Sequence, residues 1–192
     1  YRGPLTYFLS SIQLYLIDNS YRISYISNHI FNSICVFSIF ELGRIIKDNR
    51  TGLWAAIFFT FSPLIIKERS DYLIDLSLTS FSILYTLIIT KWFFHKKELS
   101  IYSLFSGINA GLIFLTKPTG IFMFFIPNLI LFIKKFNIKK YKQNFFLELI
   151  IFIFFFLLLI FPWFSRHWLT IITSIINAWK WGVNYQEGLD YN

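Results

Sequence analysis

Residues 145–164 read FFLELIIFIFFFLLLIFPWF and decide what kind of protein this is. One charge, Glu148, falls in the 20 residues, and about 20 predominantly apolar residues are what a helix needs to cross a bilayer. Working outward, the same pattern recurs at 25–42, 51–66, 72–94, 101–116 and 119–133. The whole chain agrees: 56% of its residues are hydrophobic and 15% charged, against about 45–50% and 25% in soluble domains. An all-α integral membrane protein is expected, a multi-spanning helical bundle forming one transmembrane domain over 1–192. The shorter runs require tilt or local thinning of the bilayer. The chain begins at Tyr1 without Met, shows no signal peptide, and reads as a piece of a longer protein.

Charge sets the orientation. One set of short connections carries Arg44, Lys47 and Arg50, then Lys91, Lys96 and Lys97, then Lys134, Lys135, Lys139, Lys140 and Lys142. These eleven basic residues outnumber the seven of the opposite set, so the first set is cytoplasmic by the positive-inside rule. The formal charge of +8 therefore reflects orientation, and nucleic acid is not an expected partner. Parity then puts both ends of the apolar stretch 5–17 outside. Thirteen residues are too few to span, so a helix over about 4–18 is expected to lie in the outer interface. The segment 166–181 alternates Arg166, His167, Trp168 and Lys180 with isoleucines and reads as a second interfacial helix. His167 has no His partner at metal-ligand spacing and fits the interface better than a metal site. Trp92 is expected in the inner aromatic belt, and Trp163 and Trp168 in the outer one. The lone Cys35 excludes an internal disulfide.

Ionisable groups near membrane depth are costly and point to function. The densest cluster is KERSDYLID at residues 67–75. Asp75 falls about one turn into the helix that follows, and Asp71, Asp75, Thr79, Ser82 and Thr86 share a helical face. Such a stripe is expected to face the bundle interior or a water-filled cavity. Asp71 suits a helix cap. Lys117, before Pro118-Thr119-Gly120, sits at a tight outer turn. There it either snorkels to the interface or meets an anion at the start of the next helix. Arg2, beside Gly3-Pro4, suits a lipid phosphate. The basic loop 134–142 suits anionic lipid.

These residues occur in a familiar order. Tyr1-Arg2-Gly3-Pro4-Leu5, Leu42-Gly43-Arg44 and Ser62-Pro63 leading into 69–75 resemble the GT-C membrane glycosyltransferases, of the protein mannosyltransferase and aminoarabinose transferase type. GLIFLTKPTG at 111–120 is similar to that family's G-L-x-x-L-T-K-G segment, and Phe161-Pro162-Trp163-Phe164 to its following P-W segment. The resemblance covers nearly the whole chain. It implies a polyprenyl-phosphate sugar as donor and a lipid, glycan or protein as acceptor on the outer or lumenal face. By position it makes Asp75 the catalytic carboxylate of this chain and puts Arg2 and Lys117 at the donor phosphate, with Asp71 and Arg69 as further candidates. The family's main catalytic carboxylate would lie upstream of Tyr1. Lys117 is followed by Pro-Thr-Gly where the family usually has Gly. The sequence identifies no cofactor, and Asp71 and Asp75 leave a divalent metal open. A transporter or flippase of a lipid-linked sugar is the alternative function, and a non-catalytic assembly subunit a third. The compact chain favours the bacterial inner membrane, with the endoplasmic reticulum as the other choice.

Overall fold

The computed structural model describes residues 4–16, 25–70, 74–94, 101–137 and 142–186. Every regular element among them is helical: α1 (Pro4–Leu16), α2 (Tyr25–Ile46), α3 (Asn49–Thr60), α4 (Pro63–Ser70), α5 (Ile74–Phe94), α6 (Ile101–Thr116), a 3-10 turn (Pro118–Gly120), α7 (Ile121–Asn137) and α8 (Lys142–Gln186). Backbone groups have no water to bond in hydrocarbon, so a helix satisfies them within itself. Among the described residues, three helical stretches are long and apolar enough to cross a membrane: Ile26–Ile46, Asp75–Phe94 and Phe146–Thr170. Ile101–Thr116 and Pro118–Lys134 are shorter apolar helices.

Two expected boundaries are corrected. The apolar run 51–66 is not one helix. Pro63 has no N–H and disfavours helical backbone at Ser62, so α3 closes at Phe61 and a new helix starts. Ser62 O receives the Ile66 N–H at 3.0 Å. α3 alone is about 18 Å long, well short of the roughly 30 Å hydrocarbon core. Its start is fixed by Asp48, whose Oδ1 accepts the Thr51 N–H at 2.7 Å. The segment 166–181 does not break off as a separate helix either. α8 continues through Pro162 for 45 residues, about 68 Å, roughly twice the hydrocarbon thickness of a bilayer.

α6 packs between α5 and α8, and α2 between α3 and α5, while α7 lies mainly on α5. α1 leans on α6, with Leu5 and Leu9 against the core and Tyr7, Phe8 and Tyr15 outward. Helices in lipid gain little from apolar burial and associate through close contact instead. Ser103, Gly107 and Gly111 recur every four residues along α6 and allow that approach. A Cβ on Gly107 would stand 2.5 Å from the Phe152 backbone oxygen of α8. Gly43 and Gly52 do the same for α2 and α3, where a Cβ on Gly43 would lie 2.6 Å from the Gly52 Cα. Around these seams, Phe31 meets Phe81 edge-on at 5.5 Å, and Tyr85 meets Phe124 at 6.1 Å.

Polar contacts pin both the depth of the bundle and its basic end. Asn109 donates to the Phe81 carbonyl at 2.9 Å, tying α6 to α5 inside the core. At the basic end, buried Glu41 of α2 accepts Arg44 Nη2 at 2.9 Å and Lys91 Nζ of α5 at 3.2 Å. Nearby in sequence, Trp92 donates its Nε1 proton to Glu148 of α8 at 2.9 Å. Trp92 is only 1% exposed, so it belongs to the bundle interior and not to an aromatic belt. Glu148, the one charge in the apolar run of α8, is buried with it.

Substituting Gly107→Val is expected to destabilise the bundle by about 1–3 kcal/mol, the usual result of forcing a side chain into a filled contact. Thermal unfolding in detergent checks this, with Thr173→Val at an exposed position of α8 as the comparison. Trp92→Phe should cost about 1–3 kcal/mol by removing a donor from a buried carboxylate. Adding Glu148→Leu should recover part of that loss, because the buried carboxylate that lost its indole donor is removed with it. A double-mutant cycle on unfolding midpoints reads both.

Candidate functional site

The end of the bundle opposite Glu41 and Glu148 gathers the starts of α2 and α5 and the link between α6 and α7. Asp75 occupies the first turn of α5, where the helix dipole favours a negative charge. Lys117 follows the last residue of α6. Its backbone is extended (φ −153°, ψ 115°), its N–H bonds the Ile113 carbonyl at 3.0 Å, and its carbonyl accepts the Gly120 N–H at 2.8 Å. Pro118 is preset for the first position of this turn. Gly120 lets the turn tuck inward: a Cβ there would meet Ile113 Cγ2 at 2.7 Å and Leu78 Cδ1 of α5 at 3.0 Å. Leu78 is three residues beyond Asp75, so contact at Gly120 brings the lysine to the start of α5. Lys117 Nζ donates to Asp75 Oδ1 at 3.5 Å across 42 residues of sequence.

The pair is open to its surroundings, with 60% of the Asp75 side chain and 42% of the Lys117 side chain exposed. Its contact is long and solvated, a class of ion pair worth about 0–1 kcal/mol. Both groups can therefore exchange this partner for another without loss of the fold. Chemically the site offers a carboxylate that can take a proton and an ammonium that can meet an anion, side by side at one end of a helical bundle.

The other expected site residues are distributed differently. Arg2 and Asp71 lie outside the described residues. Arg69 belongs to the last turn of α4, and its side chain also lies outside them. The stripe Asp75, Thr79, Ser82 and Thr86 shares a face as expected, but that face does not point into the packed interior. Asp75 and Thr86 are exposed, Thr79 and Ser82 half-buried, and the buried serines of α5 are Ser77 and Ser80. Each hydroxyl of the stripe satisfies itself on its own helix: Thr79 donates to the Asp75 carbonyl at 2.7 Å, Ser82 to Leu78 at 2.7 Å and Thr86 to Ser82 at 2.9 Å. Hydroxyls bonded back in this way tolerate an open face. His167 sits on the carbonyl of Trp163 at 3.0 Å and stacks on its ring at 5.5 Å, an intrahelical contact. Among the described residues no group of three or more His, Cys, Asp or Glu is arranged to hold a metal ion.

Sequence reasoning did not single out Glu68 or Asn28. Asn28 of α2, 2% exposed, donates to the Glu68 carbonyl of α4 at 3.4 Å, which anchors the segment leading to α5. Glu68 Oε2 is shielded and accepts no hydrogen bond among the described residues. The available signal was an asparagine near the start of an apolar helix, where it must find a partner.

Over residues 1–180 the chain matches the model of the dolichyl-phosphate-mannose-protein mannosyltransferase family, and it belongs to that family. It is thus a membrane glycosyltransferase by family. No curated protein and no solved structure matches it.

Asp75→Asn and Lys117→Ala should each leave stability within about 0.5 kcal/mol of wild type, the range for exposed substitutions away from core contacts. Unfolding midpoints in detergent check this, and a loss above 2 kcal/mol would show that the pair supports the fold.

Proposed function

We propose that this chain transfers a sugar from a polyprenyl-phosphate donor to an acceptor hydroxyl at the outer or lumenal face of the membrane. The Asp75–Lys117 pair carries this reading: two opposite charges, distant in sequence, meet in the open at one bundle end, 3.5 Å apart. The positive-inside bias makes that end the outer one. Membership of the dolichyl-phosphate-mannose-protein mannosyltransferase family supports a polyprenyl-phosphate donor.

In the proposed reaction the acceptor oxygen attacks the anomeric carbon of the donor. The bond from that carbon to the phosphate oxygen breaks, and its electron pair leaves with the lipid phosphate. Charge grows on the departing phosphate, where the Lys117 ammonium opposes it. Arg2 supplies a second cation by its place in the family pattern. Asp75 takes the acceptor proton as general base, alone or beside a carboxylate upstream of Tyr1. Arg69 and Asp71 are further candidates by their place in the family pattern. Donor binding would break the Asp75–Lys117 contact, releasing the carboxylate as the ammonium turns to phosphate. Its weakness suits that exchange.

Reconstituted full-length protein, offered a panel of polyprenyl-phosphate sugars, tests the reading. Transfer should fall at least tenfold in Asp75→Asn and in Lys117→Ala, about 1.4 kcal/mol of transition-state stabilisation. Restoring opposite charges in reverse, Asp75→Lys with Lys117→Asp, should not restore transfer, because each role depends on which group stands where. Wild-type rates in the folded single variants would overturn the assignment. Lipid movement across the bilayer with no transfer from any donor would establish the flippase instead.

A further inference from the structure

The basic end carries a groove of about 310 Å³ between α5 and α7. Ile89, Phe93 and Phe94 of α5 line one wall, and Pro127, Ile130 and Lys134 of α7 the other. Pro127 has no N–H to give the preceding turn of α7 and contributes its ring to the lining. The walls are mostly apolar, with Thr90 among them, and lie along two apolar helices, a lining that suits a hydrocarbon chain. At its rim Lys134 Nζ stands over the Phe93 ring, 5.1 Å from the centroid, a cation–π contact that parks the ammonium there.

The cations of this end differ in how they are neutralised. Arg44 and Lys91 both bond Glu41. Lys134 is exposed, and no carboxylate pairs with it among the described residues. A fixed positive charge at the mouth of an apolar groove is complementary to one kind of molecule available there: an amphiphile with an anionic head and a hydrocarbon chain. We infer that the α5–α7 groove binds an anionic phospholipid of the cytoplasmic leaflet, with one acyl chain between Phe94 and Ile130 and the phosphate on Lys134. This site is separate from the sugar-transfer site. Asp75 and Phe93 are 18 residues apart on one helix, about 27 Å, so a lipid held here cannot present its phosphate to Lys117.

Phosphatidylglycerol is titrated into the purified full chain in phosphatidylcholine nanodiscs, reading the rise in unfolding midpoint, and retained lipid is counted by native mass spectrometry. Three variants are compared, all at exposed positions: Lys134→Gln at the rim, Ile130→Trp filling the groove, and Lys47→Gln at the same end but outside the groove. Lys134→Gln should weaken phosphatidylglycerol binding roughly fivefold, the usual effect of one basic residue at a membrane surface, and leave phosphatidylcholine binding unchanged. Ile130→Trp should abolish the retained lipid, while Lys47→Gln should match wild type. Equal losses in Lys134→Gln and Lys47→Gln would replace the site with a diffuse surface field. Full retention in Ile130→Trp, or the same midpoint rise from inorganic phosphate, would show that the groove plays no part. Any of these three results overturns the proposal.

Discussion

Everything in this bundle depends on how closely α6 and α8 can approach. In lipid the flank of a leucine-rich helix gains almost nothing by leaving hydrocarbon for protein, so helices hold together only where contact is tight. Gly107 brings the α8 backbone to a distance at which no side chain fits. With α8 fixed there, Glu148 comes within 2.9 Å of Trp92 and locks α8 to α5 at the basic end. Asn109, two residues from Gly107, locks α6 to α5 at mid-depth. One small residue thus sets the spacing, and two polar contacts set the register.

The same economy explains where polar groups are allowed. Hydroxyls on the open side of α5 bond their own helix and ask nothing of neighbours. The buried carboxylates Glu41 and Glu148 lie at the basic end of the bundle, where α5 brings a cation, Lys91, to the first and an indole N–H, Trp92, to the second. Asp75 differs from both groups. It is neither satisfied on its own helix nor enclosed, and its one described partner is a solvated lysine at 3.5 Å. A carboxylate left that open is free to change partners, which is the property that the proposed general-base role requires.

Much of this could be read in the sequence. Hydropathy located the long helices, and charge bias grouped their ends correctly: Lys91 does meet Glu41 at one end, and Asp75 does meet Lys117 at the other. What escaped were features that depend on neighbours. The 51–66 run looked continuous because every residue up to Pro63 is compatible with lipid, yet a single proline outweighs the pattern. The Thr79–Thr86 stripe was legible as a shared face. Which side of α5 would be covered depended on α2 and α6, which periodicity along one helix does not encode. Trp92 carried an interfacial residue type at an interfacial depth, and only the buried Glu148, 56 residues away, drew it inward.

The placement of Lys117 shows how local chemistry becomes a site. Pro118 starts a tight turn, and Gly120 lets that turn lie against Leu78. A larger residue at 120 would hold the turn off α5, and the lysine would then extend towards the interface as an ordinary snorkelling cation. The glycine contact thus bears on where the lysine can reach, from the interface on one side to Asp75 on the other. That contact holds the ammonium beside Asp75 at the start of α5, and the donor-phosphate role proposed for Lys117 rests on that placement.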